Sequence, residues 1–131
     1  MSGDTFQQDL ATVRGFVQRK VAATKARNEA RWRQAAADAE DIIAMIKNEY
    51  RPAAIYQWGS VLDRDQFTGI SDIDIAVEGL ASAEQFFELI GKAEKLTRLP
   101  LDIVEMEHVE PEYADSIKTH GRCVWRQVDH A

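Results

Sequence analysis

Ala53-Ala54-Ile55-Tyr56-Gln57-Trp58-Gly59-Ser60, followed after eleven residues by Asp72-Ile73-Asp74-Ile75-Ala76-Val77, decides how this chain is read. The first run follows Pro52, is rich in β-forming residues and stops at a glycine, which is the signature of a short strand ending in a turn. Gly59 permits positive φ and close approach of a ligand to the backbone, and Ser60 places a small hydroxyl at the same point. As a bare turn, Gly-Ser is ordinary. In the second run, residues i and i+2 of a strand share a face, so Asp72 and Asp74 project together while Ile73, Ile75 and Val77 project into a core. Neighbouring carboxylates repel, and a cation between them removes that cost, so a rigid strand presenting such a pair suggests a divalent metal. The competing reading is a solvated acidic face.

The chain contains its own control. Asp63-Arg64-Asp65 has the same spacing but lies in a polar stretch running to Thr68-Gly69, without apolar alternation, and reads as loop. Spacing alone therefore carries no chemistry; strand context does. A third apolar run, Leu99-Pro100-Leu101-Asp102-Ile103-Val104-Glu105-Met106, is interrupted by an aspartate near its start. Asp102 suits an edge-strand solubiliser. Beside Asp72 and Asp74 it instead completes a three-carboxylate cluster able to hold metal and accept a proton from an attacking hydroxyl, as in-line displacement at phosphorus requires.

These motifs together resemble the DNA polymerase β-like nucleotidyltransferase superfamily, specifically its minimal nucleotidyltransferase branch, over roughly residues 40 to 125. Members carry Gly-Ser after a first strand, Asp-x-Asp on the second and a further Asp on a later strand, which map onto Gly59, Ser60, Asp72, Asp74 and Asp102. The run from Ile117 through Gly121 to Val124-Trp125 resembles the family's closing segment. The loop from Val61 to Ile70 departs from it, lacking an Arg-Ala-Arg-Gly-like run and carrying Asp63, Arg64 and Asp65.

The resemblance implies an α/β (α+β) fold, a small mixed β-sheet flanked by helices. It implies a Mg²⁺-dependent transferase, with two ions, that moves AMP from ATP. Gly59 and Ser60 would bind nucleotide, and Asp72, Asp74 and Asp102 would be both catalytic and metal-binding. It also implies an acceptor hydroxyl on a partner protein, a helical HEPN-type toxin for which this chain would be the antitoxin. Transfer to a small molecule such as an aminoglycoside, or non-catalytic sequestration of a partner, are the alternatives.

Length and composition bound these expectations. With 131 residues, 45% hydrophobic and 29% charged, the chain suits one globular domain without room for a second substrate domain. No apolar run approaches the ~20 residues that span a bilayer, and the polar N-terminus lacks a signal-like apolar segment, so a cytoplasmic location is expected. Residues 1–37 carry seven Lys or Arg against three acids, a net of +4 that leaves −10 on the rest of a chain of net charge −6. That acidic remainder argues against general nucleic-acid binding. The basic residues Arg14, Arg19, Lys20, Lys25, Arg27, Arg31 and Arg33 fit solvated helix faces or an acidic partner.

The remaining pattern is helical. Trp32, Ala35, Ala36, Ala39, Ile43, Ile46 and Tyr50 recur as one helix face from about Arg27 to Asn48. A second stripe of Phe6, Leu10, Val13, Val17 and Val21 precedes it, so residues 1–26 are expected to be a helical extension and 27–131 the nucleotidyltransferase domain. That stripe suits core packing or a partner or homodimer surface. Ser82 to Arg98 predicts a capped helix between the second and third strands, and a short helix near Glu112–Thr119 is expected to end at Gly121. Cys123, between Arg122 and Val124, reads as a packed thiol. His108, His120 and His130 lack ligand spacing and read as solvated loop residues. Trp58 suits core better than base stacking.

Overall fold

The computed structural model describes residues 3–69 and 71–128. Ile70 and His130, both weighed above, lie outside them. The chain opens with a single helix, α1 (Gly3–Glu49), and continues through β1 (Ala54–Trp58), two 3-10 turns (Ser60–Leu62 and Arg64–Gln66) and β2 (Ile73–Glu78). It closes with α2 (Ala83–Glu94), β3 (Leu101–Glu105), α3 (Pro111–His120) and β4 (Arg122–Arg126). The four strands form one mixed sheet in the order β3-β2-β1-β4. β1 pairs antiparallel with β2 and β4, whereas β2 and β3, joined through α2, run parallel.

Alternation in the strands sorts the core into two layers. Ile55, Ile73, Ile75, Val77 and Ile103 face α1 and α2, packing with Ala35, Ala39, Ile42, Ile46, Leu89 and Ala93. Ala54, Tyr56, Ala76 and Met106 face the other way, against Ile117 of α3. Asp74 follows the second set, two residues before Ala76, and so emerges on the α3 face.

Helix ends follow the expected chemistry. Ser82 caps α2, its hydroxyl accepting from the Gln85 N–H at 3.1 Å. Gly121 follows α3, its N–H donating to the Ile117 carbonyl at 2.8 Å. Two features depart from the sequence reading. The two predicted helical stripes lie on one uninterrupted α1, because Ala22-Ala23-Thr24-Lys25-Ala26 between them contains no Gly or Pro to break it. Residues 122–126 form an edge strand that the sequence analysis did not assign; on it Cys123 is exposed rather than packed.

Candidate active site

The two halves of the opening motif meet at one end of the sheet. Trp58, last residue of β1, lies opposite Asp74 of β2, and Asp74 in turn lies opposite Asp102 of β3. The parallel register therefore sets these two aspartates side by side on one face. Asp72 precedes the strand, two residues from Asp74, and is half-buried, while Asp102 is exposed. Immediately after Trp58 the chain turns through Gly59 with φ +82° and ψ −164°, a conformation that side chains oppose. A Cβ added to Gly59 would collide with the Asp74 carboxylate and lie 3.0 Å from its Cγ. Ser60, half-buried, begins the 3-10 turn that follows.

The electrostatics of the cluster are those of acids in want of a cation. Partial burial, followed by the charges of Asp72 and then Asp102, pushes the Asp74 carboxyl up to about 7. Hard oxygen donors on adjacent strands suit Mg²⁺, which is bound through one or two carboxylates and completes its shell with substrate phosphates and water. Among the described residues no group of three acid, His or Cys side chains is drawn together closely enough to hold a metal by itself.

The other candidates separate cleanly. Asp63 and Asp65 are exposed, and Asp63 accepts from the Asp65 N–H at 3.1 Å, capping the second 3-10 turn. That is a local backbone role. Trp58 is half-buried with its ring edge-on to Tyr113 of α3 at 6.2 Å. His108 and His120 are exposed. The sequence reading missed the anchor of the loop after Ser60: the indole N–H of Trp32 donates to the Val61 carbonyl at 2.8 Å, and Arg64 pairs with Glu29 while its guanidinium lies 5.6 Å from the Trp32 ring. Trp32 was legible only as an apolar helix position, because its polar edge meets a partner 29 residues away.

A mixed sheet that brings a Gly-Ser turn and three aspartates to one end defines a nucleotidyltransferase. The family model described as Polymerase beta, Nucleotidyltransferase matches residues 40–130, and the chain belongs to that family. Among solved structures it is similar to a toxin–antitoxin crystallised with AMP-PNP, at 26% identity and a TM-score of 0.54, covering 67% of this chain and 73% of that one. It is also similar to a mutant MntA–HpeT toxin–antitoxin structure, at 26% identity and a TM-score of 0.53, covering 67% and 72%. No curated protein matches the chain. No helix among the described residues is long and apolar enough to cross a membrane.

Proposed function

We propose that the chain transfers AMP from ATP to a hydroxyl of a partner protein and serves as the antitoxin of a HEPN-type toxin. The observation that carries this reading is the direct pairing of Asp74 with Asp102 beside the Gly59 turn. In this scheme the Gly59-Ser60 backbone and the Ser60 hydroxyl hold the triphosphate. Asp72 and Asp74, with Asp102 beside them, are the residues that would hold Mg²⁺. When bound, the metal supplies positive charge against the phosphate oxygens and the developing charge at phosphorus. Asp102 takes the proton of the acceptor hydroxyl. The acceptor oxygen bonds to the α-phosphorus as the bond to the bridging oxygen breaks, and pyrophosphate leaves.

The likeness to toxin–antitoxin structures, one of them with AMP-PNP, supports the nucleotide and the class of partner. The test is to incubate the purified chain with ATP, Mg²⁺ and its co-purified partner, and to read intact masses. The expected result is one AMP added to the partner, abolished by Asp74→Asn. An unmodified tight complex would overturn transfer in favour of sequestration, and AMP found only on small molecules would overturn the protein acceptor.

A further inference from the structure

Half of α1 has no counterpart in the packing of the sheet. Its C-terminal half is buried through Ala35, Ala39, Ile42 and Ile46, whereas Phe6, Leu10, Val13, Val17 and Val21 are between 46% and 65% exposed. Their spacing of four, three, four and four residues places them on one helix face, a narrow apolar stripe of the kind that packs against another helix. The direction of the overhang matters. α1 runs into β1 at its C-terminal end, and at Glu29 and Trp32 it is clamped to the loop that follows Gly59 and Ser60. Residues 5–28 therefore continue, as about 36 Å of helix, beyond the end of the sheet where Gly59, Asp74 and Asp102 lie. A groove of about 950 Å³ between Lys20–Glu29 and Arg64–Phe67 marks the root of the overhang.

Charge selects what covers the stripe. Residues 5–31 carry six bases against Asp9 and Glu29, and Glu29 is already paired with Arg33 and Arg64. Two such helices laid together would set like charge against like, which disfavours a second copy of the chain. An anionic membrane would attract the helix but repel the acidic remainder of the molecule. A nucleic acid would engage the bases and leave five large apolar side chains in water. An amphipathic helix with apolar residues on one face and acids flanking them satisfies both the stripe and the bases.

We infer that the overhanging half of α1 docks a partner protein through an acidic amphipathic helix of that partner, holding it over the catalytic end of the sheet. The inference rests on the proposed reading in one respect, that the docked protein is also the acceptor.

The test uses the full chain and a synthetic helical peptide with leucine at heptad core positions and glutamate at the flanks, against the same peptide with lysine flanks. Binding is followed by fluorescence anisotropy without nucleotide, for the wild type and for a Leu10→Glu/Val17→Glu variant, whose substitutions lie on an exposed face and whose helicity is checked by circular dichroism. The glutamate peptide is expected to bind the wild type at least tenfold more tightly than the lysine peptide, and to lose at least tenfold on the variant. Equal affinity for the two peptides, or indifference to the variant, overturns the inference. So does a wild-type dimer that the variant dissociates, or variant-sensitive binding to phosphatidylserine vesicles or an RNA oligonucleotide in place of the peptide. Because peptide binding is read without ATP, it stands apart from the mass measurement: a chain that shows the expected peptide selectivity yet adds no AMP to its partner when ATP and Mg²⁺ are supplied overturns the acceptor reading and leaves the docking surface standing.

Discussion

Gly59 and Asp74 share a volume that only a hydrogen atom at Gly59 leaves open: the Asp74 carboxylate lies where a Cβ would be, and Gly59 holds φ +82° there. Gly59→Ala thus meets both a backbone conformation costing about 1–3 kcal/mol for a residue with a side chain and a collision with a site carboxylate. Loss of about 2 kcal/mol of unfolding free energy is expected, with transfer activity down by at least about a hundredfold as the carboxylate is displaced. Adding Asp74→Ala removes the collision but not the backbone cost, so the double variant should be more stable than the sum of the singles predicts. Denaturant melts of the four proteins measure this, and strict additivity would show that the two residues do not contend for space.

Asp74 also makes a pH prediction for the metal-free protein. Its carboxyl titrates near 7 when folded, because of burial and then of Asp72 and Asp102, against 3.8 as the ordinary value. Between those values the folded state keeps a proton that the unfolded state has released, so stability falls as pH rises through that window. Above about 7 both states are ionised and the loss is complete. Melting temperature in chelator should therefore decline from pH 4.5 to 8, and Asp74→Asn should flatten the decline and melt higher than wild type at pH 8. A wild-type curve that rises over the same range would contradict the assignment.

Metal should reverse that penalty. At pH 8, where Asp74 has lost its proton, Mg²⁺ is expected to raise the melting temperature of the wild type more than that of Asp74→Asn, since a cation bound only to the folded state stabilises it by mass action. The increment should shrink at pH 5, where Asp74 holds its proton. Calcium and magnesium titrations by scanning calorimetry provide the measurement; a shift equal in both proteins would place the metal elsewhere.

What the sequence displayed and what it hid divide along a physical line. Strands β1, β2 and β3 and the cap at Ser82 were legible because alternation, Gly59 and a Ser before an apolar helix are local signals. The grouping of Asp102 with Asp74 was expected only through the family resemblance: it depends on the parallel register of two strands separated by α2, which no local pattern encodes. β4 escaped because Arg122 and Arg126 flank its apolar pair and it lies at the sheet edge, where burial imposes little alternation. The continuity of α1 was hidden for another reason: its two apolar stripes face different surroundings, and a change of surroundings resembled a break in the helix.

The loop after Ser60 should respond to Trp32. Trp32→Phe preserves an aromatic ring but deletes the donor to the Val61 carbonyl, an interaction of 2.8 Å in a half-buried setting. About 1 kcal/mol of stability is expected to go, and the nucleotide should bind more weakly because the turn that begins at Ser60 loses its tether to α1. Limited proteolysis should show faster cleavage between Val61 and Gly69 in the variant. Unchanged cleavage there would mean that the Glu29–Arg64 pair suffices to hold the loop.

Thr97 offers a test of how the third aspartate is positioned. Its hydroxyl donates to the Asp38 carboxylate of α1 at 2.7 Å and accepts the Leu99 N–H at 3.1 Å, while Gln34 donates to the other Asp38 oxygen at 2.8 Å. Asp38 is 8% exposed, so its carboxylate depends on these two donors in place of water. Thr97→Val retains the shape and removes the hydroxyl, leaving the buried carboxylate one donor short at a cost of about 2 kcal/mol. The same hydroxyl fixes the backbone just before β3, the strand whose second residue is Asp102. Thr97→Val is therefore expected to lower kcat as well as stability, whereas Gln34→Ala, which disturbs Asp38 but leaves the Leu99 contact, should lower stability with little change in kcat. If the two variants reduced kcat equally, the hydroxyl would be serving the buried carboxylate alone.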